Sequence, residues 1–281
     1  MASSLSLFSP AKLNLFFRVL SKREEGYHEI ASLYQAINLG DTLSIDFAEG
    51  DSLTCSDPTL PVDETNLVLR ALDLFRKKTK IKKFFQFSLS KRIPIEAGLG
   101  GGSSNAATTL WGLNHLMQLG INDVTLAEWG KELGADVPFF LSLGTAYCEG
   151  IGEILTHLPS AEAEALWVAK PRQGLSTARV FQGVDFSKVK KRDPRKTLQR
   201  LLDKQDSYYN DLEHSAFALL PSLKVLKKNL ESLGFSHVQM TGSGTSFFCM
   251  GSVRDPKLPA VTFFPVKYLS RAADEWYKFP G

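Results

Sequence analysis

The stretch PIEAGLGGGSSNAA, from Pro94 to Ala107, is the part of this sequence that is most informative about its fold. Glycines allow backbone dihedral angles that are closed to other residues, so several N–H groups of such a loop can converge on one anion. The polar residues 103–105 then open a helix, whose amide groups and dipole favour negative charge. The stretch therefore predicts a phosphate-binding loop at a helix N-terminus, built around four glycines: Gly98, Gly100, Gly101 and Gly102.

The residues on either side predict a strand before this loop and a helix after it. Apolar and polar residues alternate from Phe85 to Leu89, which is the period of a half-buried strand. From Ala106 to Met117 apolar residues recur every three or four positions, as in an amphipathic helix. Ser103 stands where a Walker A loop needs lysine and a dinucleotide fingerprint needs glycine, so neither of those loops fits. A glycine-rich turn that only caps a core helix stays open as the alternative.

Composition is that of an ordinary globular protein. The chain has 281 residues, of which 43% are hydrophobic and 22% are charged, and this length suits one large or two medium domains. The net charge of +3 is too small to argue for nucleic acid as a partner. A small anionic ligand would be compatible with this charge.

Three observations predict a cytoplasmic protein without a membrane span. Cys55, Cys148 and Cys249 lie far apart and show no C-x-x-C spacing, so neither a disulfide framework nor a zinc site is indicated. The N-terminal residues lack the basic start of a secretion signal. No apolar run approaches the roughly 18 residues that a membrane-spanning helix needs.

Elsewhere the pattern predicts a mixed α and β chain. The weakly patterned residues 159–165 are expected to separate two domains, residues 1–160 and 161–281. Strands are predicted at residues 12–19, 39–47, 53–55, 145–148 and 166–169, and helices at residues 66–77, 125–134 and 219–233.

The segment around Asp136 carries two local predictions. Thr125 and Glu128 form a capping-box signature for the start of a helix, which Gly134 ends. Because proline disfavours the helical region for the residue before it, Val137 is expected to be extended, with Asp136 at a chain reversal. On local grounds alone, Asp136 would be interpreted as a polar cap in a turn.

Three separated motifs occur in an order that resembles the GHMP kinase superfamily. They are SPAKLNLFFRV near the start, PIEAGLGGGSSNAA in the middle and MTGSGTSFF near the end. Three further motifs, GYHEI, LGADVPFFL and EGIGEIL, are similar to the branch of that superfamily that acts on a cytidine-diphosphate-linked polyol. The resemblance extends from Ser9 to Gly251.

This resemblance implies both a fold and a reaction. The implied fold is α+β, with an N-terminal α/β domain like that of some ribosomal proteins, a ferredoxin-like C-terminal domain and an active site in the cleft between them. The implied reaction is ATP-dependent phosphorylation of the 2-hydroxyl of cytidine-diphosphate-linked methylerythritol, in non-mevalonate synthesis of isoprenoid precursors. ATP and Mg²⁺ are the expected cofactors. No residue is assigned as a metal ligand, although three oxygen donors are available: Ser103, Ser104 and Glu149.

Two residues match catalytic positions of the family. Asp136, in GADVP, matches the aspartate expected to accept the proton of the substrate hydroxyl. Lys12, in PAKLN, matches a lysine whose ammonium would hold that carboxylate ionised and offset negative charge in the transition state. A lysine on the polar face of a strand would otherwise be interpreted as solvated.

The nucleotide is expected at residues that match the phosphate loop and the adenine side of the family site. Glu96 places a carboxylate in that loop, so its side chain is expected to point outward or to contact a cation. Asn66 could instead be a cap or a turn former. The nucleotide set is Asn66, Pro94, Ile95, Glu96, Ala97, Gly98, Leu99, Gly100, Gly101, Gly102, Ser103 and Ser104.

The small-molecule substrate is expected at a second set of matching positions. Tyr27 and His28 match a pair that recognises cytosine, and Phe181 matches an aromatic residue that stacks on it. Phe181 could equally be a core phenylalanine, and the glycines near residue 243 could form a plain connection after a strand. The substrate set is Asn14, Tyr27, His28, Phe181, Gly242, Ser243 and Gly244.

Two other functions stay open as alternatives. A GHMP kinase acting on homoserine or mevalonate would have little use for Tyr27 and His28, because such a substrate carries no base. RNA binding is the second alternative, although the basic stretch lacks the aromatic residues typical of single-strand platforms and would ordinarily be a solvated face. That stretch contains Lys188, Lys190, Lys191, Arg192, Arg195 and Lys196.

Overall fold

A computed structural model of the protein describes residues 4–159 and 166–280, which form two β-sheets and eight helices. Every strand and helix predicted from the sequence overlaps one of these elements. The strands are β1 (Ser4–Lys22), β2 (His28–Ala48), β3 (Ser52–Cys55), β4 (Phe84–Ser90), β5 (Thr145–Glu149), β6 (Ile154–His157), β7 (Leu166–Pro171), β8 (Tyr209–Asn210), β9 (His237–Met240), β10 (Phe247–Met250) and β11 (Val261–Val266). The helices are α1 (Leu67–Thr79), α2 (Gly101–Leu116), α3 (Asp123–Gly130), α4 (Val137–Phe140), α5 (Thr177–Gln182), α6 (Pro194–Leu202), α7 (Glu213–Leu219) and α8 (Ser222–Glu231).

The first sheet is organised around the long antiparallel pair β1 and β2. Its strand order is β3-β4-β2-β1-β8, and β5 joins β2 and then β6. Helices α1 and α2 pack together, and the core they share with the sheet includes Phe75, Phe87 and Leu110. This packing places the N-terminus of α2 beside the middle of β1.

The second sheet is antiparallel, with the order β11-β7-β10-β9. Counted along the chain, these are its fourth, first, third and second strands, which is the ferredoxin-like order. Helices α7 and α8 lie in the connection from β7 to β9 and share a core cluster with this sheet. The connection from β10 to β11 contains no helix, because Pro256 and Pro259 interrupt a short stretch of chain. The predicted two-part α+β fold is confirmed.

Helix α2 begins earlier than the sequence indicates. The prediction starts it at Ser103, whereas the structure starts it at Gly101, with Gly100 as its N-cap. Gly100 has φ +72°, a conformation that glycine adopts without steric cost. Two of the loop glycines therefore belong to the helix, so their amide groups lie at its positive end.

Two local predictions near Asp136 are wrong. Helix α3 begins at Asp123, and its N-cap is Asn122, whose side chain accepts a hydrogen bond from Thr125 N at 2.8 Å. Thr125 is therefore inside the helix. Val137 is helical, not extended, because it is the first residue of the single helical turn α4. Its side chain is fully buried, so packing outweighs the local effect of the proline that follows.

The chain crosses back to the first sheet twice in its second half. Strand β8 pairs with β1, and Asn38 N donates a hydrogen bond to Lys267 O at 3.0 Å. The predicted domain boundary falls on residues 160–165, outside the described residues, and stays a prediction. Within the described ranges, none of the helices has the length and apolar character required to cross a bilayer.

Candidate active site

A cleft of about 590 Å³ collects most of the residues that the sequence singles out. The residues 94–104, here called the glycine loop, form much of its wall, and the residues 242–244, here called the second glycine turn, face them. The predicted residues that line the cleft are Lys12, Asn66, Pro94, Ile95, Glu96, Ala97, Gly98, Leu99, Gly100, Gly101, Gly102, Ser103, Asp136, Phe181, Gly242 and Ser243. The predicted residues outside this lining are Asn14, Tyr27, His28, Ser104 and Gly244.

Lys12 and Asp136 meet in this cleft. Residues 12 and 14 lie on one face of β1, because side chains alternate along a strand. Lys12 Nζ lies 3.4 Å from Asp136 Oδ2 and donates a hydrogen bond to Asn14 Oδ1 at 2.7 Å. The aspartate side chain is 28% exposed, so its carboxylate can reach a ligand; the lysine side chain is only 4% exposed, although Lys12 also lines the cleft.

Tyr34 completes this group, and the sequence analysis missed it. Its hydroxyl donates a hydrogen bond to Asp136 Oδ1 at 3.1 Å, and its ring lies 4.3 Å from Lys12 Nζ. Burial, together with the adjacent Asp136 carboxylate, raises the pKa of this hydroxyl well above its usual value. The hydroxyl therefore stays protonated and keeps donating to the carboxylate. Tyr34 pairs with Asn14 across β1 and β2, in a stretch that lies between the register shifts at Pro10/Ala11 and at Asn14/Phe16.

The glycine loop touches the second glycine turn directly. Gly98 has φ +73°, and a Cβ atom at this position would collide with Thr241 O and lie 3.1 Å from Gly244 N of the second glycine turn. Ser246 N donates a hydrogen bond to Ala97 O at 3.2 Å. The first hydrogen bond of α2 runs from Ser104 N to Gly100 O at 2.9 Å, so the preceding amides have no carbonyl of the helix to donate to. Such amides can bind an anion.

The buried carboxylate of Asp41 holds the residues that flank the glycine loop. Asp41 is fully buried and accepts hydrogen bonds from Arg92 N at 2.7 Å, Ile93 N at 2.8 Å and Asn105 Nδ2 at 2.9 Å. It also forms an ion pair with Lys91. These bonds join the start of α2 to β2. Neither acidic nor basic patterning in the sequence points to this pair, because its members are 50 residues apart.

Ser104 and Glu149 are turned away from the cleft. Ser104 Oγ hydrogen bonds to Ser9 Oγ at 2.9 Å and is fully buried. Glu149 forms an ion pair with Arg195 at 3.1 Å. Of the three oxygen donors named for a metal, only Ser103 lines the cleft. In the part of the chain that the structure describes, no group of three or more His, Cys, Asp or Glu side chains could hold a metal ion.

Glu96 lies in the same region as a lysine. Its side chain packs against Gly174, and the Lys170 ammonium lies in the same region. Burial lowers the pKa of Lys170 from its usual value, and the negative charge of Glu96 opposes that change. Lys170 Nζ also donates to Thr245 Oγ1 at 3.0 Å, beside the second glycine turn.

The other end of the cleft is aromatic. Phe181 lines it, and the His28 ring packs on Phe181 with centroids 5.3 Å apart. Burial, with a smaller contribution from Lys22, lowers the pKa of His28 below its usual value. Tyr27, by contrast, is 62% exposed. The two residues predicted to recognise cytosine therefore lie in different environments. The His28 ring packs on Phe181, and these two rings are here called the aromatic cluster, whereas the Tyr27 side chain is exposed to solvent.

Asn66 caps a helix, which is one of the roles that the sequence analysis left open for it. It is the N-cap of α1, where its side chain accepts a hydrogen bond from Val68 N at 3.0 Å and donates one to Pro61 O at 2.7 Å. It also lines the cleft. A cap and a ligand contact are compatible, so the predicted nucleotide contact stays a prediction.

Comparisons with known proteins identify the family. Family models for the N-terminal and C-terminal domains of GHMP kinases match residues 66–144 and 186–258. The chain is 46% identical to a protein of Protochlamydia amoebophila named 4-diphosphocytidyl-2-C-methyl-D-erythritol kinase, over 274 residues that cover 98% of this chain and 93% of the relative.

Solved structures give the same result. A crystal structure of 4-(cytidine 5'-diphospho)-2C-methyl-D-erythritol kinase matches with a TM-score of 0.79 and 30% identity, covering 95% of this chain and all of that one. Homoserine kinase from Cytophaga hutchinsonii matches with a TM-score of 0.70 over 99% of this chain and 98% of its own, but at 18% identity. The second similarity shows a shared fold alone.

Proposed function

The chain belongs to the 4-diphosphocytidyl-2-C-methyl-D-erythritol kinases of the GHMP kinase superfamily, and we propose that it transfers the γ-phosphoryl group of ATP to the 2-hydroxyl of 4-diphosphocytidyl-2-C-methyl-D-erythritol. As a GHMP kinase it is a small-molecule kinase that uses ATP. We propose both this specific substrate and the roles of the individual residues. One observation carries it: the 3.4 Å contact between Lys12 Nζ and Asp136 Oδ2 lies in the same cleft as the glycine loop.

Phosphoryl transfer asks a protein mainly to position the reactants and to stabilise charge. The amides at the start of α2 and the Lys12 ammonium would hold the oxygens of the γ-phosphoryl group. Asp136 would accept the proton of the substrate hydroxyl as its oxygen forms a bond to phosphorus. The bond from phosphorus to the bridging oxygen then breaks, and ADP leaves with that oxygen. Tyr34 and Lys12 orient the Asp136 carboxylate for this transfer.

Mg²⁺ fits this cleft. Mg²⁺ usually keeps several waters and binds one or two carboxylates plus substrate phosphates, so it needs no dedicated protein cage. The Ser103 hydroxyl lines the cleft and is a hard oxygen donor of the kind that such an ion prefers. When bound, the ion would neutralise part of the charge on the phosphates.

We assign the cytosine end of the substrate to the aromatic cluster. The Phe181 ring faces the cleft, and the buried His28 ring packs behind it. A flat aromatic surface suits a base, whereas the small substrates of homoserine and mevalonate kinases carry none. This cluster is the feature of the site that favours a cytidine substrate over those two alternatives.

RNA binding receives less support from the basic stretch. Lys188 is paired with Asp185, Arg192 with Asp211 and Arg195 with Glu149. Cations that are already paired within the chain contribute less to phosphate binding. We also propose that the enzyme acts in the cytoplasm, because all three of its cysteines are free thiols.

The decisive experiment measures ADP release with Mg-ATP for a panel of acceptors: 4-diphosphocytidyl-2-C-methyl-D-erythritol, homoserine and mevalonate. We expect turnover with the first alone. Asp136→Asn keeps the size of the side chain but removes its basicity, so kcat should fall by about 10²–10⁴-fold. Binding of ADP should stay within about twofold, because the glycine loop is unchanged. Near-normal turnover of this variant would remove Asp136 from the mechanism.

His28→Ala tests the substrate end of the same proposal. Loss of the ring that supports Phe181 should raise KM for the cytidine substrate by about tenfold and leave KM for ATP unchanged. His157→Ala, on β6 away from the cleft, is the matched control. An unchanged KM in His28→Ala would count against a cytidine substrate.

A further inference from the structure

We propose that Arg271 is a positioning residue for Asp136, acting through the helical turn α4; this inference rests on the proposed role of Asp136 as the base. Arg271 belongs to residues 267–280, here called the C-terminal segment, which no sequence motif connects with the site. The segment follows β11 and returns to the first sheet.

The conformation of α4 needs support from outside. The helix has only four residues, Val137–Phe140, and begins directly after Asp136. A helix of this length is not stable alone, because it forms too few hydrogen bonds to offset the conformational entropy cost of its first turn. In addition, the residue before a proline avoids the helical region, so the local sequence favours an extended Val137. The position of Asp136 therefore depends on whatever holds this turn.

Arg271 holds the C-terminal end of α4. Its Nη2 donates a hydrogen bond to Leu141 O at 2.5 Å, and its Nε donates one to Ser142 O at 2.8 Å. These carbonyls follow the last helical residue, where a helix leaves acceptors without partners and where a cation interacts favourably with the dipole. The Arg271 side chain is 0% exposed, so water does not compete for the two carbonyls.

The guanidinium is itself fixed in place. Arg271 Nη2 forms an ion pair with Asp123 Oδ2 at 2.7 Å, at the first residue of α3. Its Nη1 donates to Glu275 O at 2.6 Å, and its Cζ lies 5.3 Å from the centroid of a Trp276 ring. Trp276 Nε1 in turn donates to Phe8 O on β1 at 2.7 Å. The C-terminal segment thus connects α4 to both β1 and α3.

The opposite end of the same turn carries the Asp136 carboxylate, which Lys12 and Tyr34 contact. One helical turn spans roughly 6 Å, so movement at the Arg271 end is transmitted to Asp136 with little loss. A displacement of 1 Å can cost about 100-fold in rate when a reacting group must be aligned. Arg271 therefore sets the alignment of a base that it does not touch.

The test compares Arg271→Ala and Arg271→Lys with Asp123→Asn. The first variant removes both carbonyl contacts, whereas Asp123→Asn removes the ion pair and leaves those contacts in place. We expect Arg271→Ala to lower kcat by about 10- to 100-fold while KM for ATP and for the cytidine substrate stays within about twofold. Arg271→Lys should recover part of kcat, because an ammonium can still donate to one carbonyl.

Stability is controlled in the same experiment. Asp123→Asn should lose thermal stability as well and yet keep kcat close to that of the unchanged enzyme. If kcat falls equally in Asp123→Asn and Arg271→Ala at matched loss of stability, Arg271 has only a structural role and the proposal is overturned. Unchanged kcat in folded Arg271→Lys together with folded Arg271→Ala overturns it too.

Hydrogen exchange separates this proposal from the one on which it rests. The amides of Leu141 and Ser142 donate to Pro138 O and Phe139 O, so their exchange reports on the turn itself. We expect faster exchange at both amides in Arg271→Lys, a variant that retains the charge and keeps the test open if Arg271→Ala does not fold. Unchanged exchange would sink the positioning role, whereas an active Asp136→Asn would sink the proposed base and leave the exchange result standing.

Discussion

The two walls of the cleft, the glycine loop and the turn that carries Asp136, reach their conformations by different routes. The glycine loop contains residues that adopt positive φ at no steric cost, and it runs directly into a long helix that packs by its own apolar pattern. The Asp136 turn is a four-residue helix whose first residue precedes proline, and it contacts residues from β1, β2 and the C-terminal segment. The residues of the first wall favour its backbone conformation, whereas the local sequence of the second opposes its conformation, which therefore depends on remote contacts.

That difference predicts how each wall fails. A change in the glycine loop should disturb the backbone itself and therefore cost both stability and nucleotide binding. A change near Asp136 should alter the alignment of one carboxylate and therefore lower kcat with little effect on the rest of the molecule. Three substitutions test this contrast.

Gly98→Ala should have the largest effect. The positive φ costs about 1–2 kcal/mol for a residue with a Cβ atom, and the collision with Thr241 O adds about 1–3 kcal/mol. Together these two costs should lower the free energy of unfolding by about 2–5 kcal/mol, and KM for ATP should rise. Urea unfolding and steady-state kinetics measure the two effects.

Gly120→Ala, at a glycine outside the glycine loop, is the matched control for Gly98→Ala. Gly120 has φ +65°, and nothing lies within 4 Å of a Cβ built there, so only the backbone cost applies. We expect a loss of about 1–2 kcal/mol and no change in KM for ATP. Equal losses of stability in the two variants would show that contact with the second glycine turn is unimportant.

Tyr34→Phe should have an intermediate effect, on rate alone. It removes the hydroxyl that donates to Asp136 and keeps the ring beside Lys12. A hydrogen bond to a charged group contributes about 1.5–3 kcal/mol, so kcat should fall by about tenfold or more while KM for ATP is unchanged. Tyr147→Phe, in the same sheet but outside the cleft lining, serves as the control. A rise in KM without a fall in kcat would contradict the assigned contact.

Asn66→Ala should have the smallest effect of the three substitutions. Loss of an N-cap side chain costs about 1 kcal/mol, and Asn122→Ala removes the equivalent cap of α3 away from the cleft. Both variants should therefore lose similar stability in urea. If Asn66 also contacts the nucleotide, KM for ATP rises in Asn66→Ala alone. Parallel kinetics for the two variants would leave Asn66 as a cap only.

Much of the fold follows from the sequence because its signals are local. Apolar periodicity locates α1, α2 and β4, and the resemblance in three motifs supplies the family and the two-part fold, which the comparisons confirm. The sequence prediction starts α2 two residues late because Gly101 and Gly102 are poor helix formers, whereas in the structure both are helical, with Ile93 and Leu67 nearby. Propensity is a weak guide where tertiary contacts decide.

The candidate site was harder to predict where partners are distant in sequence. Lys12 and Asp136 were found through motifs, but Tyr34 was not, because its contact with Asp136 depends on the register between β1 and β2. Asp41 and Lys91 likewise show no local signal for their ion pair. His28 and Tyr27 are adjacent in sequence, yet strand geometry sends one ring into the aromatic cluster and the other into solvent.

The sequence alone was sufficient to identify the family, through its motifs, and to locate elements such as α1, α2 and β4, because hydrophobic periodicity acts within a few residues. The helical state of Val137, the environment of Asp136 and the contacts of Arg271 with the end of α4 are visible in the three-dimensional structure alone. Those features depend on burial and on hydrogen bonds between residues more than 100 positions apart. Contacts of that kind can overcome a local preference, as the buried turn after Asp136 demonstrates.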